Sequence, residues 1–207
     1  MKRRWFPAVA GLGALGIAVV TARGRGKALD RRLYSVANRG RGRIPDALFK
    51  STTELGSIWA SGAAAVTLAV HRRRREALDA FGAALTMWAL GQVLKKAIGR
   101  PRPYAALQDF RLLIDKPRGT TWPSSHPAVV LAFVTVAGRD LELCPAAKVG
   151  VIAVPLLVGV SRVYLGVHFP ADVAGGLLLG RAVADVWSSL VSPGVLGRDP
   201  SIRAPVQ

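Results

Sequence analysis

Between Trp5 and Ala22 the chain carries eighteen residues without a charge, and Lys2, Arg3, Arg4 and Arg23 close the run at both ends. A stretch of that length approaches the roughly 20 residues that span a bilayer. Further apolar runs follow, each bounded by polar or cationic segments: Ser51–Val70, Ala80–Leu94, Ser124 or Ser125 to Gly138, Leu143–Val160, and Ala171 to about Val195. No window shows period-two alternation and no internal repeat is present, so the runs read as helices. The expected fold is all-α, a six-transmembrane-helix bundle. Residues 1–50 would supply the first span and a basic amphipathic segment. Residues 51–197 would form a core with five further spans, and 198–207 a loose tail.

Composition supports this partition. Half the residues are hydrophobic (51%), yet 29 Lys+Arg face 12 Asp+Glu, a formal net charge of +17. A disordered basic tail lacks such apolar content. One cysteine, Cys144, excludes a disulfide scaffold. Nucleic acid is not an expected partner, because few aromatic residues interleave with the cations. The first run has two readings: a cleaved signal peptide, suggested weakly by Val20-Thr21-Ala22, or a retained span, which its length favours.

Residues 23–50 hold nine Lys or Arg, with Leu29, Leu33, Val36 and Ala37 at helical spacing. They read either as a solvated connecting helix or as an interfacial helix on anionic headgroups, broken at Asn38-Arg-Gly-Arg-Gly. Ser51-Thr-Thr-Glu54 has the form of a capping box opening the next helix. Pro155 marks an expected kink, and Arg181 and Asp185 an expected pair four residues apart. Gly176 and Gly180 make a small-xxx-small contact motif. With a cytoplasmic amino terminus, Lys2–Arg4 and Arg72–Arg75 lie inside as the positive-inside rule expects. The loops at 23–50 and 95–122, with sixteen Lys or Arg, then lie outside, so charge alone does not fix orientation.

Three clusters stand at the ends of apolar runs, and six crossings put them on one side: Lys95 to Arg102-Pro103, then Pro123-Ser124-Ser125-His126, then Ser161-Arg162 to His168 and Asp172. Each has an ordinary explanation. Lys95 suits a helix carboxyl end, Ser124 an N-cap, Arg162 a snorkelling position, and His168–Asp172 a local pair. Together they suit attack on a phosphate, whose transition state spreads negative charge over its equatorial oxygens. Arg102 and Arg162 offer planar contacts, Lys95 a point charge, and Ser124 and Ser125 a helix amino terminus. His168 held by Asp172 can act as nucleophile, and His126 can protonate a leaving oxygen. No Cys/His or carboxylate group at ligand spacing calls for a metal, and no cofactor is expected.

At these residues the sequence resembles the type 2 phosphatidic acid phosphatase family, whose fold is shared with vanadium haloperoxidases and bacterial acid phosphatases. The family pattern is Lys-x6-Arg-Pro, Pro-Ser-Gly-His and Ser-Arg-x5-His-x3-Asp. It falls here on Lys95, Arg102 and Pro103, then on Pro123 to His126 with Ser125 in place of glycine, then on Ser161, Arg162, His168 and Asp172. The resemblance covers roughly residues 50–190. It implies His168 as the nucleophile forming a phosphohistidine, Asp172 as its orienter and His126 as general acid and base. It further implies Lys95, Arg102, Ser124, Ser125 and Arg162 as phosphate ligands, no metal requirement, and a site on the non-cytoplasmic face, in a bacterial plasma membrane. The substrate implied is a phosphatidate-like or polyprenyl phosphate or diphosphate. A catalytically silent membrane scaffold would be expected to lack a catalytic side chain, and a haloperoxidase to be larger and soluble. Arg100 fits no place in the pattern and reads as a rim residue or headgroup contact.

Overall fold

The computed structural model describes residues 6–22, 26–40 and 42–191. Among them are nine helices: α1 (Phe6–Ala22), α2 (Lys27–Ala37), α3 (Arg43–Glu54), α4 (Ile58–Val70), α5 (Arg74–Ile98), α6 (Pro103–Ala106), α7 (Ser125–Asp140), α8 (Pro145–Tyr164) and α9 (Pro170–Leu190). The described residues include no strand. The fold is all-α, as expected, and α1, α4, α5, α7, α8 and α9 follow the six apolar runs in order. The count of six is matched only roughly, because residues 27–54 form two further helices and 103–106 a single turn. The tail at 198–207 lies outside the described residues.

Several boundaries differ from those the sequence suggests. Ser51 to Glu54 close α3 and do not open a helix; Ser51 Oγ and Thr52 Oγ1 donate back to the carbonyls of Ala47 and Leu48. The N-cap of α4 is Ser57, whose hydroxyl accepts from Ala60 N–H at 3.0 Å. The break between the two helices falls at Gly56, where an added Cβ would lie 2.7 Å from His126 Cβ and 2.5 Å from Val158 Cγ1. A side chain there would force helices apart, so glycine outweighs the capping pattern. Helix α5 begins at Arg74, six residues before the expected apolar start, and Gly99 ends it at φ 64°. Helix α8 continues through Pro155 without ending.

The core is built where α5, α7 and α9 meet, with α1 packed along α9, α4 along α5 and α8 along α7. Its residues are mostly small: Ala80, Ala83 and Ala84 of α5, Ala128 and Ala132 of α7, Ala184 of α9 and Ala14 of α1. Small side chains let backbones approach closely, which drives helix association where lipid removes the hydrophobic gain. The expected contact at Gly176 and Gly180 is of this kind. An added Cβ would lie 2.4 Å from the carbonyl oxygens of Ser124 and Ala128 respectively. Large apolar side chains instead face outward, including Val66, Val70, Leu156, Leu157 and Trp59, the last 84% exposed. Such an arrangement suits a surface solvated by lipid. Two stretches, Arg74–Ala106 and Pro145–Tyr164, are long and apolar enough to cross a membrane; Ala8–Ile17 and Ile58–Val70 are shorter apolar segments.

Helices α2 and α3 lie across the end of the bundle where α5 and α8 finish and α7 and α9 begin. A few of their polar side chains turn inward, while the cations Lys27, Arg31, Arg32 and Arg43 stay exposed. Asp30 and Asn38 are buried, as is Thr53, while Leu29, Leu33, Ile44 and Leu48 face out. Asn38, expected only to break a helix, donates to the carbonyls of Arg111 and Tyr164 and accepts from Arg111 N–H, each at 2.8 Å. It thereby ties the α2–α3 turn to the segment 107–120 and to the end of α8.

Candidate active site

The same end of the bundle collects every residue of the three clusters. Lys95 stands in the last turn of α5, Ser125 and His126 in the first turn of α7, Arg162 in the last turn of α8, and Asp172 in the first turn of α9. The α8–α9 turn needs Gly166 at φ 85°, where an added Cβ would stand 2.2 Å from the carbonyl oxygen of Arg111. That turn delivers His168 to the centre of the cluster, 1% exposed.

Lys95 Nζ donates to Ser125 Oγ at 2.6 Å, and Thr120 Oγ1 donates to the Lys95 carbonyl. The Arg102 guanidinium is clamped by the carbonyls of Gly119 at 3.0 Å and Val167 at 3.1 Å, which brings Nη1 to 3.5 Å from His168 Nε2. Arg162 donates through Nη1 to Thr53 Oγ1 at 2.9 Å. It does not snorkel: both arginines are 4% exposed. Ser124 occupies the N-cap of α7, yet its side chain makes no cap bond. Ser124 Oγ and Arg162 Nε are buried with no hydrogen-bond partner among the described residues. Ser161, by contrast, turns back to the Val158 carbonyl within its own helix.

On the other side of the ring, His168 Nδ1 lies 3.0 Å from Thr121 Oγ1 and 3.6 Å from Asp172 Oδ2. The Thr121 hydroxyl donates its one proton to Asp172 Oδ2 at 2.7 Å. It can therefore only accept from His168, which places the imidazole proton on Nδ1 and the lone pair on Nε2. Asp172 is fully buried, and its Oδ2 also accepts from Phe169 N–H at 2.7 Å. Thus the expected contact between His168 and Asp172 runs through a threonine hydroxyl. Thr121 is absent from the three-cluster pattern, and its only sequence signal is adjacency to Trp122-Pro123-Ser124.

Electrostatically the site is a cation-rich enclosure. Among the described residues, Lys95, Arg102 and Arg162 make no ion pair with a carboxylate. Buried cations without a carboxylate partner are costly, and an anionic ligand relieves that cost. Burial, reinforced by Arg162, Arg102 and Lys95, holds the His168 imidazole well below its ordinary pKa, so it is uncharged near neutral pH. His126 is mostly buried, and Arg162, His168, Lys95 and Arg102 lie close enough to act on its charge. Arg100, which fits no place in the three clusters, turns to Asp172 and to Asp30 of α2.

Known proteins are similar to this chain in sequence and in fold. A family model described as PAP2 superfamily matches residues 76–193. A decaprenylphosphoryl-5-phosphoribose phosphatase of Mycobacterium tuberculosis is 34% identical over 124 residues, covering 59% of this chain and 66% of that protein. An undecaprenyl-diphosphatase of Sulfolobus acidocaldarius is 36% identical, covering 50% of this chain and 47% of that protein. The chain thus spans less than two-thirds of the length of either relative. Among solved structures, the transmembrane PAP2 type phosphatidylglycerolphosphate phosphatase of Bacillus subtilis superposes with a TM-score of 0.73 at 26% identity. That match covers 89% of this chain and 95% of the other.

Proposed function

The chain belongs to the PAP2 superfamily, and on that basis we propose that it is an integral membrane phosphatase, hydrolysing a lipid phosphate or diphosphate through a phosphohistidine on His168. The observation that carries this reading is the set of three cations without carboxylate partners around a neutral histidine, Arg102 and Arg162 buried and Lys95 partly buried. An anion bound there meets fixed donors that need no reorganisation as charge develops.

In the proposed cycle, Lys95, Arg102, Arg162, Ser124 and Ser125 hold the non-bridging phosphate oxygens. The Nε2 lone pair of His168 attacks phosphorus, forming a P–N bond as the P–O bond to the lipid breaks. His126 donates a proton to the leaving oxygen and then takes one from water. The resulting hydroxide displaces His168, regenerating the imidazole and releasing inorganic phosphate. Throughout, Nδ1–H stays bonded to Thr121, and Asp172 stabilises the positive charge that the ring gains when Nε2 is phosphorylated. Ser125 in place of glycine fits this reading, since its hydroxyl already meets Lys95.

The polyprenyl and glycerophosphate lipids named for the relatives support a lipid phosphate as the substrate class. The outward faces of α2 and α3, with Leu29, Leu33 and Ile44 beside Lys27, Arg31 and Arg43, suit a surface of anionic headgroups. We place the site on the non-cytoplasmic face of a bacterial plasma membrane. The test is phosphate release in detergent with EDTA present, from phosphatidate, phosphatidylglycerophosphate and polyprenyl phosphates and diphosphates. Release is expected from at least one lipid, and His168→Ala should abolish it. Full activity in that variant sinks the nucleophile assignment, and no release from any lipid favours a silent scaffold.

A further inference from the structure

Behind Asp172 lies a second buried carboxylate. Arg100 Nη1 donates to Asp172 Oδ1 at 2.6 Å, and Arg100 Nη2 donates to Asp30 Oδ2 at 2.5 Å. The guanidinium lies 4.6 Å from the Phe169 ring centroid. The other oxygen of Asp30 accepts from Ala171 N–H at 2.9 Å, inside the first turn of α9. One cation, two carboxylates and a helix start therefore close a ring around the catalytic pair. The side chains of Asp30 and Arg100 are 6% and 9% exposed. Asp30 belongs to α2, outside the residues matched by the family.

The geometry has a chemical purpose. An arginine facing a lone carboxylate tends to form a fork, taking both oxygens. A fork on Asp172 would compete for Oδ2, the oxygen that accepts from Thr121 and Phe169 N–H. By taking Nη2, Asp30 limits Arg100 to a single bond on Oδ1 and leaves Oδ2 facing the threonine. Its charge also offsets part of the Arg100 charge, so Asp172 keeps the basicity needed to support a phosphorylated His168.

We propose that Asp30 and Arg100 are positioning residues for the His168–Thr121–Asp172 relay, and that α2 is thereby a working part of the catalytic site. This rests on His168 being the nucleophile. Asp30 touches no reacting atom; it acts by fixing which oxygen of Asp172 serves the relay.

Full-length wild type, Asp30→Asn, Asp30→Glu and Arg100→Lys are compared in detergent, with Asp185→Asn as a surface control. Asp30→Asn should lower kcat about 10- to 100-fold with KM within about twofold, as a small misplacement of a catalytic group does. The acid limb of its kcat–pH profile should move, and Asp30→Glu should recover part of kcat. Arg100→Lys, which keeps the charge but not the fork, should also lose kcat. If Asp30→Asn fails to fold, Asp30→Glu and Arg100→Lys retain all charges and decide the matter by their pH profiles. An unchanged kcat and pH profile in the folded variants, even with a lower Tm, overturns the proposal. Orthovanadate binding, followed as the rise in Tm, separates the two layers. If no lipid is hydrolysed, the phosphatase reading fails, and vanadate affinity still reads the relay. About tenfold weaker binding in Asp30→Asn supports it, and equal binding overturns it.

Discussion

Thr121 holds one proton between two groups that both need it oriented, and that makes it testable. Thr121→Val keeps the shape but removes the acceptor for His168 Nδ1–H and the donor to Asp172. We expect kcat to fall about 100-fold, at the lower end of a general acid–base contribution, while Thr121→Ser keeps most activity in the same steady-state assay. His168 also sets a pH dependence whose sign follows from its surroundings. In the proposed cycle attack needs the neutral ring, and burial with Arg162, Arg102 and Lys95 nearby disfavours protonation. The acid limb of kcat/KM should therefore fall well below the ordinary imidazole value of 6.5. Arg162→Gln removes one of these cations and should move that limb upward in a pH-rate profile. The same shift acts on stability: below pH 6.5 the unfolded chain takes up the proton first, so stability is lost as pH falls through the folded value. The sequence made the charged members legible because their spacing repeats a known pattern. Thr121 and Asp30 were not legible. A single threonine or aspartate carries no spacing code, and each finds its partner only when distant segments meet.

Helices and turns repeat that contrast. The six apolar runs were readable because an uncharged stretch of helical length has few other fates. The start of α4 was not, since Ser51 to Glu54 and Ser57 both satisfy capping chemistry; packing of Gly56 against His126 decides between them. Asn38 ends α2 as its sequence suggests, but the pattern of 23–50 does not show that α2 turns one carboxylate, Asp30, inward beside Tyr34 while its cations face out. Two substitutions separate contact from propensity. Gly176→Ala drives a methyl to 2.4 Å from the Ser124 carbonyl oxygen, so thermal unfolding in detergent should show a loss of about 1–3 kcal/mol. Gly150→Ala in α8 meets nothing within 4 Å and should gain about 0.5–1 kcal/mol. Asn38→Ala removes three bonds to buried backbone and should cost about 2–3 kcal/mol by the same measurement.

At the scale of the whole molecule, the chemistry occupies one end of the bundle and the α4–α5 and α7–α8 connections the other. Cys144, exposed and the only cysteine, lies in the second of these. It should react with a membrane-impermeant thiol reagent only after cells are opened. In a Cys144→Ser background, Asp115→Cys on the site-bearing side should react in intact cells; the reverse pattern would invert the orientation proposed above. The packing of α1 along α9 adds a consequence for rearranging the gene. A Cβ added at Gly13 would lie 3.6 Å from Leu178 Cδ1, near the middle of both helices, and the two run in opposite directions. At about 1.5 Å per residue, the beginning of α1 and the finish of α9 emerge on the side away from the site, about 8 Å apart in depth. A short linker could join them, and the chain could be reopened at Arg72–Arg73 without cutting any segment that carries the proposed phosphate ligands. The order of helices along the chain is thus separable from the order of helices in space, and only the latter is needed to assemble the chemistry.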